Sequence, residues 1–208
     1  MKIKNVIAAG CSWVDRPYHS DSEWYDFELT KEHSFSQLLS NRLEVECYNI
    51  SSGGSSMDNV FLKIQHHLEK INNSLVIIGL TDPTRFTVSD AHFKFQDAGD
   101  GHWNWRKYFF KHFYNEEVRI HNIIRMLDTL NVLFKYKNSH LLVFNSFSNG
   151  VKYPKRDYFF NGFGKFKTWS SYICSVDKNF SEDGRHPYYS HHIHLSNLIY
   201  EYLYKNVL

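Results

Sequence analysis

Four short apolar runs divide this chain, each rich in β-branched or aromatic residues: Ile3 to Ala9, Val45 to Ile50, Leu75 to Leu80, and His140 to Phe147, with Leu141-Leu142-Val143-Phe144 at the centre of the last. Short continuous runs of this kind suit strands that are covered on both faces. Small or polar residues follow each run and end it. Between the runs the period changes. Ser34 to Leu43 sets Phe35, Leu38 and Leu39 at i, i+3 and i+4, and Asp58 to Ile71 carries Val60, Phe61, Ile64, Leu68 and Ile71. Glu116 to Phe134 carries Ile120, Ile123, Ile124, Leu127, Leu130 and Leu133. These spacings predict amphipathic helices. A last helix is expected from about Tyr188 to Tyr204, with Pro187 suited to its first turn. Strands alternating with helices imply right-handed βαβ units and a three-layer α/β/α sandwich around a parallel sheet of about five strands. The fifth strand is placed within Trp169 to Val176.

A length of 208 residues favours one domain over 1–208. Two stretches interrupt the alternation: an insertion at about 86–114, dense in Trp, Phe, Tyr and His, and a basic, aromatic segment at about 149–167 that reads as a long loop. Apolar residues at 42% and charged residues at 22% exclude a disordered chain, a collagen-like repeat and an integral membrane protein. The only alanines are Ala8, Ala9, Ala91 and Ala98, which argues against a helical bundle. Twenty-four basic against 22 acidic residues leave a formal net charge of +2, and clusters such as Lys152, Lys155 and Arg156 are short, so no nucleic-acid partner is expected. Cys11, Cys47 and Cys174 are odd in number and widely spaced, which favours a reducing compartment and neither a structural disulfide nor a zinc site. The N-terminal apolar run stops at Ala9 and reads as a first strand rather than a signal core. The expectation is a protein that is cytoplasmic or released without a cleaved signal peptide, with no membrane span.

In parallel sheets, ligands bind beyond the carboxyl ends of the strands. The segments there are Gly10-Cys11-Ser12-Trp13, Ser51 to Ser56, Gly79 to Arg85, and Asn145-Ser146-Phe147. Ser12 follows a tight glycine turn, so its hydroxyl faces the crevice, where it either caps the next helix or acts as a nucleophile. Near the other end stands Asp183-Gly184-Arg185-His186-Pro187. An Asp three residues before a His, just ahead of a helix, lets a carboxylate orient an imidazole that takes a proton from a serine; the same residues also serve as a turn former and a near-cap position.

In combination these segments resemble the blocks of the SGNH or GDSL superfamily of serine esterases and acyl hydrolases. Gly10-Cys11-Ser12 resembles the first block, normally Gly-Asp-Ser, and places the nucleophile at Ser12; a nucleophile at Cys11 would need a side chain aimed away from Ser12's direction. Asn49 to Ser55 resembles the second, whose glycine N–H helps form an oxyanion hole, with the spacing from Asn49 favouring Gly54 over Gly53. Gly79-Leu80-Thr81-Asp82 lies where Gly-x-Asn-Asp is normal, and Asp183 to Pro187 is similar to Asp-x-x-His-Pro. The resemblance spans positions 10 to 187. It implies a flavodoxin-like sheet, no metal or other cofactor, a catalytic Ser12–His186–Asp183 triad, and an oxyanion hole of Ser12, Gly54 and Thr81. Thr81 replaces the usual Asn, and a threonine hydroxyl is a shorter donor.

The function so implied is hydrolysis of a small acyl ester, with acetyl on a carbohydrate preferred because no long apolar segment suggests a lipid tunnel. The expected partner is a small-molecule or glycan ester. Arg85 either holds a carboxylate or sulfate or pairs with Asp82, and Trp13 is a candidate for contact with a sugar face or acyl chain. The competing class is a module that keeps the fold and binds a glycan or protein without turnover. His186, His191, His192 and His194 invite a metal reading, but no His-Glu-x-x-His or Cys-rich partner accompanies them, and surface histidines on the last helix are expected instead. The Gly53-Gly54 turn lacks the motifs of a nucleotide site.

Overall fold

A computed structural model describes residues 2–17, 31–85, 111–147, 151–176 and 186–208. Four strands, β1 (Asn5–Ala9), β2 (Glu46–Asn49), β3 (Ser74–Leu80) and β4 (His140–Asn145), form one parallel sheet in the order β2-β1-β3-β4. Val6 pairs with Cys47 on one side and Leu75 on the other, and Ile77 pairs with Leu142. After β2 the chain crosses back past β1 to reach β3. The crevice at this switch point opens between the carboxyl ends of β1 and β3.

Side chains along the buried strands alternate between two cores. One holds Val6, Ala8, Leu75, Ile77, Leu142 and Phe144 against Phe35, Leu39, Trp169, Ile173, Leu195, Ile199 and Leu203. The other holds Ile7, Ala9, Val76, Ile78, Leu80, Leu141 and Val143 against Met57, Val60, Ile64, Ile123, Ile124, Leu127, Leu130 and Phe134. The first group of partners comes from α2 (Phe35–Leu43), α5 (Trp169–Val176) and α6 (Tyr189–Asn206), and the second from α3 (Met57–His66) and α4 (Glu116–Tyr136). Helices therefore cover both faces, as the alternation predicts. Their starts are capped by short polar side chains: Ser34, Ser56 and Asn115 accept the N–H of Gln37, Asn59 and Val118 at 3.4, 3.3 and 3.0 Å.

Two expectations change. Trp169–Val176 is helix, not strand: Trp169 and Ile173 are both buried, an i, i+4 pair on one helical face, and Thr168 accepts the Ser171 N–H at 3.0 Å as a cap. The position beside β4 is instead held by the segment read as a long loop. Val143 donates to the Tyr158 carbonyl and accepts from the Phe160 N–H, both at 2.8 Å, a single parallel bridge. Tyr158, Phe160 and Phe163 from that segment are buried in the core. Of the 86–114 insertion, residues 86–110 lie outside the described part. No described helix is long and apolar enough to cross a membrane.

A one-turn helix, α1 (Ser12–Asp15), packs across the ends of β1 and β3. Its Val14 occupies the room that side chains at Gly10 and Gly79 would need. A methyl at Gly10 would overlap Val14 and lie 3.1 Å from the Gly79 carbonyl oxygen; one at Gly79 would overlap Val14 and meet Ser146 Oγ at 3.0 Å. Overpacking of this kind displaces the neighbour or strains it. Gly79→Ala is expected to lower stability by about 1–3 kcal/mol in urea unfolding, because Val14 is completely buried and has nowhere to move.

Candidate active site

Ser12 is the first residue of α1, entered from Cys11 in extended geometry. The turn closes on the Cys11 carbonyl, which accepts the N–H of Val14 at 2.9 Å and of Asp15 at 3.1 Å. A single turn has too little helix to hold itself. Asn49, at the end of β2, supplies the restraint: its Nδ2 donates to the Asp15 and Val14 carbonyls at 2.8 and 3.3 Å, while its Oδ1 accepts the Ser51 N–H at 3.1 Å. One amide side chain thus fixes the serine turn to the following loop. Ser52 N–H adds a bond to the Gly10 carbonyl at 3.3 Å. Within that loop a Cβ on Gly53 would sit 4.0 Å from Ser12 Cβ, and Gly54 takes the left-handed φ of 71° that favours glycine.

The imidazole of His186 reaches the same point from the start of the last segment. Its Nε2 lies 3.0 Å from Ser12 Oγ, across 174 positions of sequence. Ser12 is 8% exposed and His186 is half-buried, so the pair is shielded from most of the solvent. Asp183 lies outside the described residues.

Thr81, at the end of β3, is fully buried, and its Oγ1 has no hydrogen-bond partner. Asp82 is committed to its own turn, its Oδ1 accepting the N–H and hydroxyl of Thr84 at 2.8 and 2.7 Å. No ion pair joins it to Arg85 among the described residues. The Arg85 guanidinium lies instead over the Phe147 ring, 5.6 Å from its centroid. Trp13 is core rather than platform: it is 4% exposed, with edge-on contacts to Phe147 at 5.1 Å and Trp169 at 5.6 Å. The other aromatic candidates for contact with a sugar face or acyl chain, Trp24 and Tyr25 after the nucleophile and Trp103, Trp105, Tyr108 and Phe109 in the insertion, lie outside the described residues.

The histidines of α6 also depart from expectation. His194 is exposed, with its Nε2 2.7 Å from the Tyr172 hydroxyl, but His191 and His192 are buried. His191 Nδ1 accepts the Tyr188 N–H at 3.0 Å, and its ring stacks on Tyr188. His192 Nδ1 accepts the Phe35 N–H at 3.0 Å and so joins the starts of α6 and α2. Helical spacing could have flagged this, since His192 is three residues before the buried Leu195 on the core face. No group of three or more metal-ligating side chains occurs among the described residues.

Three supporting residues carry no sequence signal. Arg119 of α4 makes a bidentate pair with Asp58 at 2.8 and 2.7 Å and donates to the carbonyls of Pro83 and Arg85 at 3.4 and 3.3 Å, which ties the turn after β3 to α3 and α4. Lys31 donates to the Asn49 and Ser51 carbonyls at 3.1 and 2.7 Å and pairs with Asp15 at 3.2 Å. Lys63 donates to Ser52 Oγ at 2.6 Å, and burial pulls its pKa below the usual lysine range. All three act across long sequence separations, which local periodicity does not reveal.

No protein-family profile matches the sequence, and no curated protein matches it. Solved structures do. The fold is similar to that of a carbohydrate esterase whose active site is described as having divergent catalytic and non-catalytic binding functions, at 11% identity over 98% of this chain and 69% of that one, with a TM-score of 0.54. TesA matches at 12% identity over 96% of this chain and 98% of its own, with a TM-score of 0.54. A family two carbohydrate esterase from Cellvibrio japonicus matches at 12% identity over 97% of this chain and 61% of that one, with a TM-score of 0.52. The chain thus shares the fold of these structures, an α/β/α sandwich as the alternation of strands and helices implies.

Burial lowers the His192 pKa to about 3, against an unfolded value of about 6.5. Between those values the unfolded chain takes up a proton that the folded chain refuses, so this residue withdraws stability as pH falls below about 6.5. The loss approaches about 1.4 kcal/mol per pH unit. Urea midpoints compared at pH 6.5 and 5 are expected to fall in the wild type and to fall less in His192→Gln.

Proposed function

We propose that this protein is a serine ester hydrolase acting on small acyl esters, acetyl first among them, carried on a carbohydrate. The observation that carries this reading is the 3.0 Å contact between Ser12 Oγ and His186 Nε2 at the switch point of the sheet. On this reading the imidazole carries its proton on Nδ1, held by Asp183, and accepts at Nε2. As Ser12 Oγ attacks the acyl carbon, its proton passes to Nε2. The carbonyl oxygen becomes an oxyanion, received by the N–H of Ser12 and by the amides of the Gly53-Gly54 turn. The imidazolium then gives the proton to the leaving alcohol oxygen, and a water deprotonated by the same ring releases the acid. The carbohydrate assignment draws support from the carbohydrate esterases that share the fold.

Ser12→Ala and His186→Ala are each expected to lower the kcat/KM for p-nitrophenyl acetate by at least about 10³, and the double variant by little more, because the two act as one unit. A fluorophosphonate should add once to the wild type, at Ser12. Equal background rates from folded wild type and Ser12→Ala, with no adduct, would overturn the proposal.

A second reading has its own observation. The Thr81 hydroxyl lies beneath the surface, away from an oxyanion in the crevice, which suits a site that binds a glycan or protein without turning it over. A working side-chain donor in an oxyanion hole is worth about 10²–10³ in kcat. Thr81→Ala is therefore expected to change kcat by less than about tenfold, as measured on p-nitrophenyl acetate.

A further inference from the structure

Four of the described arginines satisfy their guanidinium groups. Arg16 pairs with Asp15, Arg42 with Asn197 and the Tyr200 ring, Arg119 with Asp58, and Arg156 with Asp128. Arg125 is exposed and solvated. Arg85 differs. It is partly buried, its Nη1 is shut off from solvent with no hydrogen-bond partner, and no counter-charge meets it among the described residues. Among the described residues its guanidinium meets the face of the Phe147 ring. A buried, unsatisfied donor on a charged group is costly and marks a place where a partner is missing.

The location decides what that partner is. Phe147 packs edge-on against Trp13, the residue after Ser12, so the guanidinium stands over a ring that adjoins the serine turn. Its charge is felt at Cys11, the residue before Ser12, where it partly opposes the upward push of burial on the thiol. Asp82, the nearest acid in sequence, is used by Thr84. Ser146, next to Phe147, is fully buried with an unpartnered Oγ. The ends of β3 and β4 thus hold buried polar atoms, one of them on a cation, that have no hydrogen-bond partner among the described residues.

We propose that Arg85 anchors a carboxylate on the substrate, so that the natural ester carries a negative charge within reach of the crevice. The planar fork of a guanidinium fits a carboxylate with two parallel bonds. This proposal rests on the Ser12–His186 hydrolase reading for its position in a substrate, though not for its ability to bind an anion.

The test uses esters matched except for charge. For a carboxylate on the acyl side, mono(4-nitrophenyl) succinate is compared with its methyl ester by nitrophenolate release; for one on the alcohol side, acetoxyacetate is compared with methyl acetoxyacetate by acetate release. In one arm the wild type should favour the anion by at least about tenfold in kcat/KM, mostly through KM, as expected for a charged hydrogen bond. Arg85→Met should bring that ratio to about one, and Arg85→Lys, which keeps the charge and loses the fork, should retain part of it. A ratio near one in both arms of the wild type, or a preference that survives Arg85→Met, overturns the proposal. Binding is read separately: monomethyl succinate should raise the melting temperature of Ser12→Ala and leave Ser12→Ala with Arg85→Met unmoved. If no ester is turned over, the hydrolase reading fails, and this thermal shift still decides for or against Arg85.

Discussion

The approach of α1 to the ends of β1 and β3 governs the rest of the site. Val14 sits where side chains at Gly10 and Gly79 would be, so two absent side chains let a single helical turn sink against the sheet. That depth places Ser12 at the mouth of the switch point. A turn so short gains little from its own backbone bonds, and its position is borrowed from Asn49, which binds the last two carbonyls of the turn with one amide. Lys31 then holds the Asn49 and Ser51 carbonyls from the outside. The geometry at Ser12 Oγ is the end of a chain of contacts that begins with two glycines.

Much of this was legible in the sequence because it depends on local periodicity. The four strands and the helices at 35–43, 57–66, 116–136 and 189–206 lie within a few residues of where apolar spacing puts them, and the sheet's parallel order follows from their alternation. Period failed where burial was mixed. Trp169–Val176 carries Trp, Tyr, Ile and Val, all good strand formers, and only the Thr168 cap and the Trp169–Ile173 pair reveal a helix. The edge bridge at Val143 was hidden for the opposite reason: a one-residue pairing leaves no pattern. At the site, Ser12 and His186 stand out as motif residues, but Arg119, Lys31 and Lys63 work through bonds to backbone or side-chain groups on other elements. His192 shows a related limit, since residue type alone suggests a surface imidazole while its neighbours on the helix place it in the core.

The turn after β3 is flanked by two arginines with opposite fates. Arg119 is neutralised by Asp58, and its remaining N–H groups bind the Pro83 and Arg85 carbonyls, which makes it a rigid brace. Arg85, held by that brace through its own carbonyl, keeps its charge uncompensated beside a thiol that burial holds neutral. The proposed anion site therefore takes its geometry from the turn that α3 and α4 brace. The backbone of Arg85 is fixed by the Arg119 bond and by its own N–H to the Asp82 carbonyl at 3.1 Å, while the Asp82 carboxylate stays in its turn with Thr84. The guanidinium is left over the Phe147 ring, and an anchor held in this way loses little freedom when a carboxylate docks on it.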